Sequence, residues 1–190
     1  MNRTIIFDTE TSGPVDFKSI SKAKPGKDSP WNNINIAQIG YVVMERGMVV
    51  ETGSYYIQPI DNDPVINPYC PKVSHQICTL LGTDPLIAMM QFFSTALTCK
   101  TIVAHNLQFD YNLVVDFAIR VGIPEGMINQ FSYLKRFCTM RDTNIPGNRW
   151  YSLQRFCNAM GTPEFSDAHD ALSDAMMTAM AYKSMWGKRC

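Results

Sequence analysis

Ile5-Ile6-Phe7-Asp8-Thr9-Glu10-Thr11-Ser12-Gly13 runs from three apolar residues into two acids and stops at Gly13-Pro14. This is the pattern of a strand entering a turn. Residues i and i+2 of a strand share one face, so Asp8 and Glu10 point the same way from a buried β-edge, where their repulsion must be relieved by something positive. A divalent metal is the economical answer. On this stretch alone, two acids that merely solvate a strand end fit equally well.

Outward from it, the totals describe an ordinary globular chain. The 190 residues suit one domain, with Phe17 to Asn33 as a basic loop insertion; a chain of this size buries roughly 70% of its unfolded surface. With 46% hydrophobic and 18% charged residues, collagen and disorder are excluded. No run approaches the ~18 apolar residues of a membrane span, and MNRTIIFDTE has no signal-peptide h-region, so a cytoplasmic location and no membrane partner are expected. Six cysteines make no C-x-x-C pair, Cys99, Cys138 and Cys157 sit in apolar runs and read as buried, reduced thiols, and three histidines make no zinc spacing. The net charge of zero argues against a protein that coats nucleic acid nonspecifically. It leaves room for an enzyme that engages a chain end.

Phe17 to Asn33 carries Lys18, Lys22, Lys24 and Lys27 among prolines and glycine. It is either a solvated irregular loop or a phosphate-contacting flap beside the acids. Ile34 to Glu45 and Met48 to Ile57 are β-rich and joined by Arg46-Gly47, a tight hairpin, which makes three antiparallel strands with the first. Helical patterns follow at Val73 to Leu80 and Pro85 to Leu97, then a short strand Thr101 to Ala104, a helix Phe109 to Val121 closed by Gly122 and Pro124, a fifth strand Phe131 to Cys138, and helices Ser152 to Met160 and Ala168 to Trp186. His75 reads as a packed or surface histidine.

Two further acidic signals sit at element ends. In His105-Asn106-Leu107-Gln108-Phe109-Asp110, Asn106 is placed to cap a helix and Asp110 lies on the same face one turn in, aimed at the strand ends; a capped helix with an acidic first turn fits as well. In Asp167-Ala168-His169-Asp170-Ala171-Leu172-Ser173-Asp174-Ala175, His169 stands at a helix mouth, Asp170 reads as its cap, and Asp174 is the odd acid among small and apolar residues. An exposed helix position also accommodates Asp174.

Taken together, DTET, AHNxxFD and HDALSDA in this order resemble the DnaQ-like DEDDh 3′-to-5′ exonucleases, from residue 4 to about 183. The resemblance implies an α/β, ribonuclease H-like fold: a mixed five-stranded sheet, three antiparallel strands then two parallel ones, flanked by helices. It implies Asp8, Glu10, Asp110 and Asp174 as metal ligands and His169 as general base. Hard oxygen donors suit Mg²⁺ or Mn²⁺, and two ions ~3.5–4 Å apart assist in-line phosphodiester displacement. Thr9 and Thr11 match the segment that meets the terminal nucleotide, His105, Asn106 and Phe109 flank the scissile one, and Gln38 and Ile39 lie beside the site. Phe109 is equally placed for core packing, and Trp150, just before a later helix, suits core burial more than stacking on a base. The implied substrate is a single-stranded DNA or RNA 3′ end, and a homodimer is compatible with the family. Cys138-Thr139-Met140 departs from the Asp-Thr pair many members carry at the fifth strand. The competing class is a catalytically silent nucleic-acid-binding module of the same fold; retention of all five functional groups favours the enzyme.

Overall fold

A computed structural model describes residues 3–20, 22–26, 29–60, 64–68, 70, 72–143, 145, 151–162 and 169–187, the last two without their side chains. The first strand, β1 (Arg3–Thr11), is the centre of a five-stranded sheet. It pairs antiparallel with β2 (Ile36–Glu45), which pairs antiparallel with the edge strand β3 (Met48–Tyr56). On its other side it runs parallel to β4 (Thr101–Ala104), which is parallel to β5 (Lys135–Cys138). The spatial order β3-β2-β1-β4-β5 is the mixed sheet the resemblance implied. Arg46 and Gly47 turn the hairpin with φ of 52° and 77°, the pair of positive values a two-residue turn demands.

The alternation of β1 divides the interior in two. Ile5 and Phe7 face one side with Ile39, Tyr41 and Val43, and are covered by α3 (Pro85–Ala96), α4 (Leu107–Val121) and α5 (Glu125–Ser132). Phe7, Phe92, Phe93 and Phe131 interlock there with ring centroids 5.0 to 6.4 Å apart; burying one such side chain contributes about 1.5–3 kcal/mol. Ile6, Val42, Met44 and Val103 face the other side and meet Ala175 and Ala179 of α7 (Ala171–Gly187). The opposite flank of α7 packs Met177, Ala181 and Met185 against Phe156 and Cys157 of α6 (Leu153–Met160). Sandwiched between sheet and helix, α7 is apolar on both sides, which is why Asp174 stands out in it.

The structure revises three expectations. The fifth strand begins at Lys135, because Pro124 opens a helix that buries Phe131 in the aromatic cluster; the aromatic residues at 131 and 133 imitate a strand only in sequence. The Phe17 to Asn33 segment holds a short helix α1 (Phe17–Ile20) and a 3₁₀ turn (Pro30–Asn33), with Ile20 and Trp31 buried. Asn106 stands at the N-cap of α4 in a left-handed conformation (φ 67°) and makes no side-chain capping bond. A further helix, α2 (His75–Leu81), is capped by Ser74, and His75 is exposed at the surface with Nδ1 accepting from the Val65 N–H. Asp167, Ala168 and Trp150 lie outside the described residues.

Candidate active site

The carboxyl ends of β1 and β4, which run parallel, come together with the N-termini of α4 and α7. In an open α/β sheet this edge is where ligands bind. Asp8 and Glu10 project toward α7, opposite Gly40 and Gln38 of β2, and a register irregularity follows Glu10. Gly40 makes the approach of α7 workable: a Cβ there would stand 2.3 Å from the Leu172 nitrogen and 2.4 Å from the Ala171 carbonyl carbon. Asp170 caps α7 by accepting from Ser173 N–H at 3.0 Å. Gln38, 1% exposed, ties this helix start to the sheet, donating to Asp170 (2.9 Å) and Ser54 (3.1 Å) and accepting from Ala171 N–H (3.2 Å).

That clamp sets His169 and Asp174. One donor atom from each of Glu10, His169 and Asp174 lies within 4.8 Å of the others, the spread of a metal-holding group. His169 has φ 65°, which turns the chain into the helix. Asp110 enters from the other face of the sheet, on α4; it is buried and accepts from the Thr9 hydroxyl at 2.8 Å. Asp8 lies between, held well above the usual carboxylate range by burial and then by the charges of Asp110, Asp174 and Glu10. Burial also lifts Asp110 to about 7, against the bond from Thr9. Glu10 rises to about 7 through burial and Asp174, and Asp174 rises through burial, offset by His169. Burial is the first cause of the rise in all four acids and repulsion adds to it, a burden that a proton or a cation relieves. An all-oxygen donor set suits a hard divalent ion, and Asp8, Glu10, Asp110 and Asp174 could hold one, with Glu10 and Asp174 grouped beside His169.

The other sequence-derived positions divide by what their side chains touch. Thr11 donates to the Gly13 carbonyl (2.8 Å) and accepts from Asn67 (3.3 Å), fixing the turn after β1. Ile39 is fully buried in the larger core. His105 spends both ring nitrogens on the protein: Nε2 donates to the Tyr151 carbonyl (2.9 Å), so Nδ1 accepts from the Thr139 hydroxyl (2.9 Å). Burial lowers its pKa, consistent with a neutral ring bridging β4 to the start of α6. Phe109 is half-buried and packs at a tilt between Phe17 and Trp31.

Sequence reasoning missed Cys70. Its buried thiol donates to the His169 carbonyl at 2.8 Å and also meets the Glu10 carboxylate, and burial with that neighbouring charge pushes it up to about 12. One S–H proton therefore sits between two acceptors belonging to the site. Cys70 lies in an irregular connector with no periodicity to announce it. A second missed group is Asp116 with Arg120 on α4. Arg120 donates to Asp116 (3.0 Å), Asn35 (2.7 Å) and the Ile34 carbonyl (2.5 Å), while Asp116 accepts from Gly26 N–H (3.2 Å). Together they anchor the 17–33 segment beside the site.

The mixed five-stranded sheet, with an acidic edge fed by three distant segments, defines a ribonuclease H-like fold, and a fold of this kind leaves the activity to its site. Residues 5–182 match the RNase_T family, described as an exonuclease, and the chain belongs to this DnaQ-like exonuclease family. It is 25% identical over 182 residues to the 3′-5′ exonuclease DinG of Bacillus subtilis (strain 168), covering 95% of this chain and 17% of that protein. Among solved structures it is similar to the zinc-bound E. coli ExoI–ssDNA complex (TM-score 0.75, 17% identity, 100% of this chain and 41% of that one). It is also similar to E. coli exonuclease I with a dT13 oligonucleotide (TM-score 0.72, 18% identity, 96% and 40%). The chain thus spans less than half the length of these relatives, and the structural likeness concerns the fold.

Proposed function

We propose that this chain is a metal-dependent 3′-to-5′ exonuclease of the DEDDh type, which hydrolyses the last phosphodiester bond of single-stranded or frayed DNA or RNA and releases nucleoside 5′-monophosphates. The observation that carries this reading is the convergence of Glu10, His169 and Asp174 to within 4.8 Å, with Asp8 and Asp110 crowding the same edge. Mg²⁺ or Mn²⁺, two per site by the family pattern, held by Asp8, Glu10, Asp110 and Asp174, would neutralise the carboxylates and the phosphate and act as Lewis acid.

The chain's own residues supply the remaining chemistry. His169, at the mouth of α7, takes the proton of the attacking water; a neutral imidazole is a competent base near pH 7. The water oxygen bonds to phosphorus as the bond to the 3′ oxygen of the preceding nucleotide breaks on the opposite side, and that oxygen leaves with a proton from solvent. Cys70 holds the His169 backbone, Thr9 orients Asp110, and the Gln38–Asp170 pair fixes the helix that carries Asp174. Thr11, Asn106 and Phe109 border the edge where the terminal nucleotide would lie. A 5′-labelled single strand incubated with Mg²⁺ or Mn²⁺ should yield a ladder shortening from its 3′ end, absent with chelator; an intact strand, or a mononucleotide released from the 5′ end, overturns the assignment.

A further inference from the structure

The two edges of the sheet are finished differently. β5 is four residues long and carries exposed Lys135 and Arg136, and cations on an edge keep it from pairing with another chain. β3 is nine residues long, holds one charged residue, Glu51, and among the described residues pairs only with β2. Glu51 is already bonded to Arg3 (3.0 Å) and Thr95 (2.9 Å). No lysine, arginine or proline stands on β3 to discourage a further strand.

The outer backbone of β3 is closed at its far end by Thr83, which follows α2. Thr83 N–H donates to the Tyr56 carbonyl (2.8 Å) and the Thr83 carbonyl accepts from Gln58 N–H (3.0 Å), so the Tyr56 carbonyl faces outward. Alternate residues of a strand repeat that orientation, which turns the N–H and C=O groups of Thr52 and Ser54 outward as well. Apolar side chains stand at both ends of this stretch. Met48, Val49 and Val50, at the hairpin end, are 62%, 44% and 49% exposed; Leu80 and Leu81 finish α2 beside Thr83 at 70% and 72%, and Ile87 follows on α3. Charge is divided between the ends too. The hairpin has exposed Arg46, and Lys183 beside Gly47, against the half-buried Glu45, whereas exposed Asp84 stands next to Thr83.

The strand that matches this edge is apolar at both ends and acidic where β3 is basic. β3 itself, turned end for end, is that strand. We propose that two copies of this chain pair antiparallel along β3, about a two-fold axis at Thr52, into one continuous sheet. About that axis Glu51 faces Gly53 of the other copy, so like charges do not meet, and the hairpin end of each copy reaches the Thr83 end of the other. Met48 and Val50 then cover Leu80 and Leu81, and Arg46 approaches Asp84, a self-complementary contact of the kind a two-fold interface requires. The six exposed apolar side chains present on the order of 600 Å² per copy, which with the strand backbone approaches the ~800 Å² per partner of a stable interface. β3 runs with β1, both antiparallel to β2, so the two acidic edges lie at opposite ends of the joined sheet and both stay open. The pairing is independent of what the acidic edge does.

Sedimentation velocity of the full chain across a concentration series reads the pairing directly. The wild type should sediment as a dimer, at twice 21.5 kDa, and dissociate on dilution. Met48→Lys and Leu81→Glu, both at exposed positions, should each weaken the dimer by ~10-fold or more, because each buries a charge without a partner. Together in one chain the two substitutions set opposite charges across the contact and should restore much of the affinity. A wild type that stays monomeric overturns the inference and leaves the edge to a strand of another protein. A dimer that both single variants keep, or a loss that the paired substitutions do not repair in a protein with native circular dichroism, overturns it as well.

Discussion

Glu10 and Asp110 must carry charge where charge is expensive, and both are pushed up to about 7. Removing either His169 or a ligand separates two roles. Asp174→Asn should abolish trimming in a folded protein, whereas His169→Ala should lower kcat by ~10²- to 10⁴-fold, the ordinary contribution of a positioned base. A full-speed Asp174→Asn protein contradicts the ligand assignment. Cys70 acts through its neighbours, so the informative comparison is between substitutions. Cys70→Ala should cost roughly 10- to 100-fold in kcat, by analogy with groups that orient metal ligands, while Cys70→Ser, which keeps a donor, should retain most of it. Equal loss in the two variants would reduce Cys70 to a packing residue.

At the scale of elements, the site depends on how closely α7 lies on β1 and β2. Ala171, Ala175 and Ala179 give the helix a flat face, and Gly40 gives the sheet a place to receive it. A methyl group at Gly40 meets backbone, which has no rotamer by which to yield. Gly40→Ala should therefore lower stability by about 1–3 kcal/mol, the usual penalty of overpacking, and depress turnover more than substrate binding because Asp174 and His169 move together. Thermal unfolding with steady-state kinetics reads both; native values of each would show that the helix rides farther from the sheet than described.

Over the whole molecule, the edge stores repulsion that folding alone does not relieve. Glu10 and Asp110 in the folded chain titrate near 7, above their ordinary 4.5 and 3.8, so between about pH 4 and 7 the folded state holds protons that the unfolded chain has shed. Stability from this source is complete below the ordinary carboxylate values and is lost as pH rises through 7. Without divalent ion, the melting temperature should fall from pH 5.5 to pH 8. With Mn²⁺, which binds the ionised form, the fall should shrink or reverse. A melting temperature with the same pH slope in both conditions counts against an ion-filled edge.

The same scale explains what the sequence disclosed. Strand β1, the Arg46-Gly47 hairpin and the α7 stripe were legible because each is written locally, in alternation, turn residues or helical spacing. So were Asp8, Glu10, Asp110, His169 and Asp174 as candidates, since each sits at an element end within a recognisable motif. Phe131 misled because a buried aromatic suits a strand or a helix, and tertiary packing decides. Gln38 and His105 were singled out for the substrate and Cys70 not at all, and the bonds they make to the protein were hidden for another reason. Their partners are Asp170, Tyr151 and His169, far along the chain, and only the folded molecule brings them into contact.

The most direct measurement is a calorimetric titration of Mn²⁺ into the chelator-treated protein, alongside Asp8→Asn and Asp174→Asn. Saturable binding by the wild type, lost or greatly weakened in both variants while they remain folded, is the predicted result. A folded wild type that takes up no ion, or variants that bind it as tightly, would contradict the claim that these carboxylates form a metal-dependent nuclease centre.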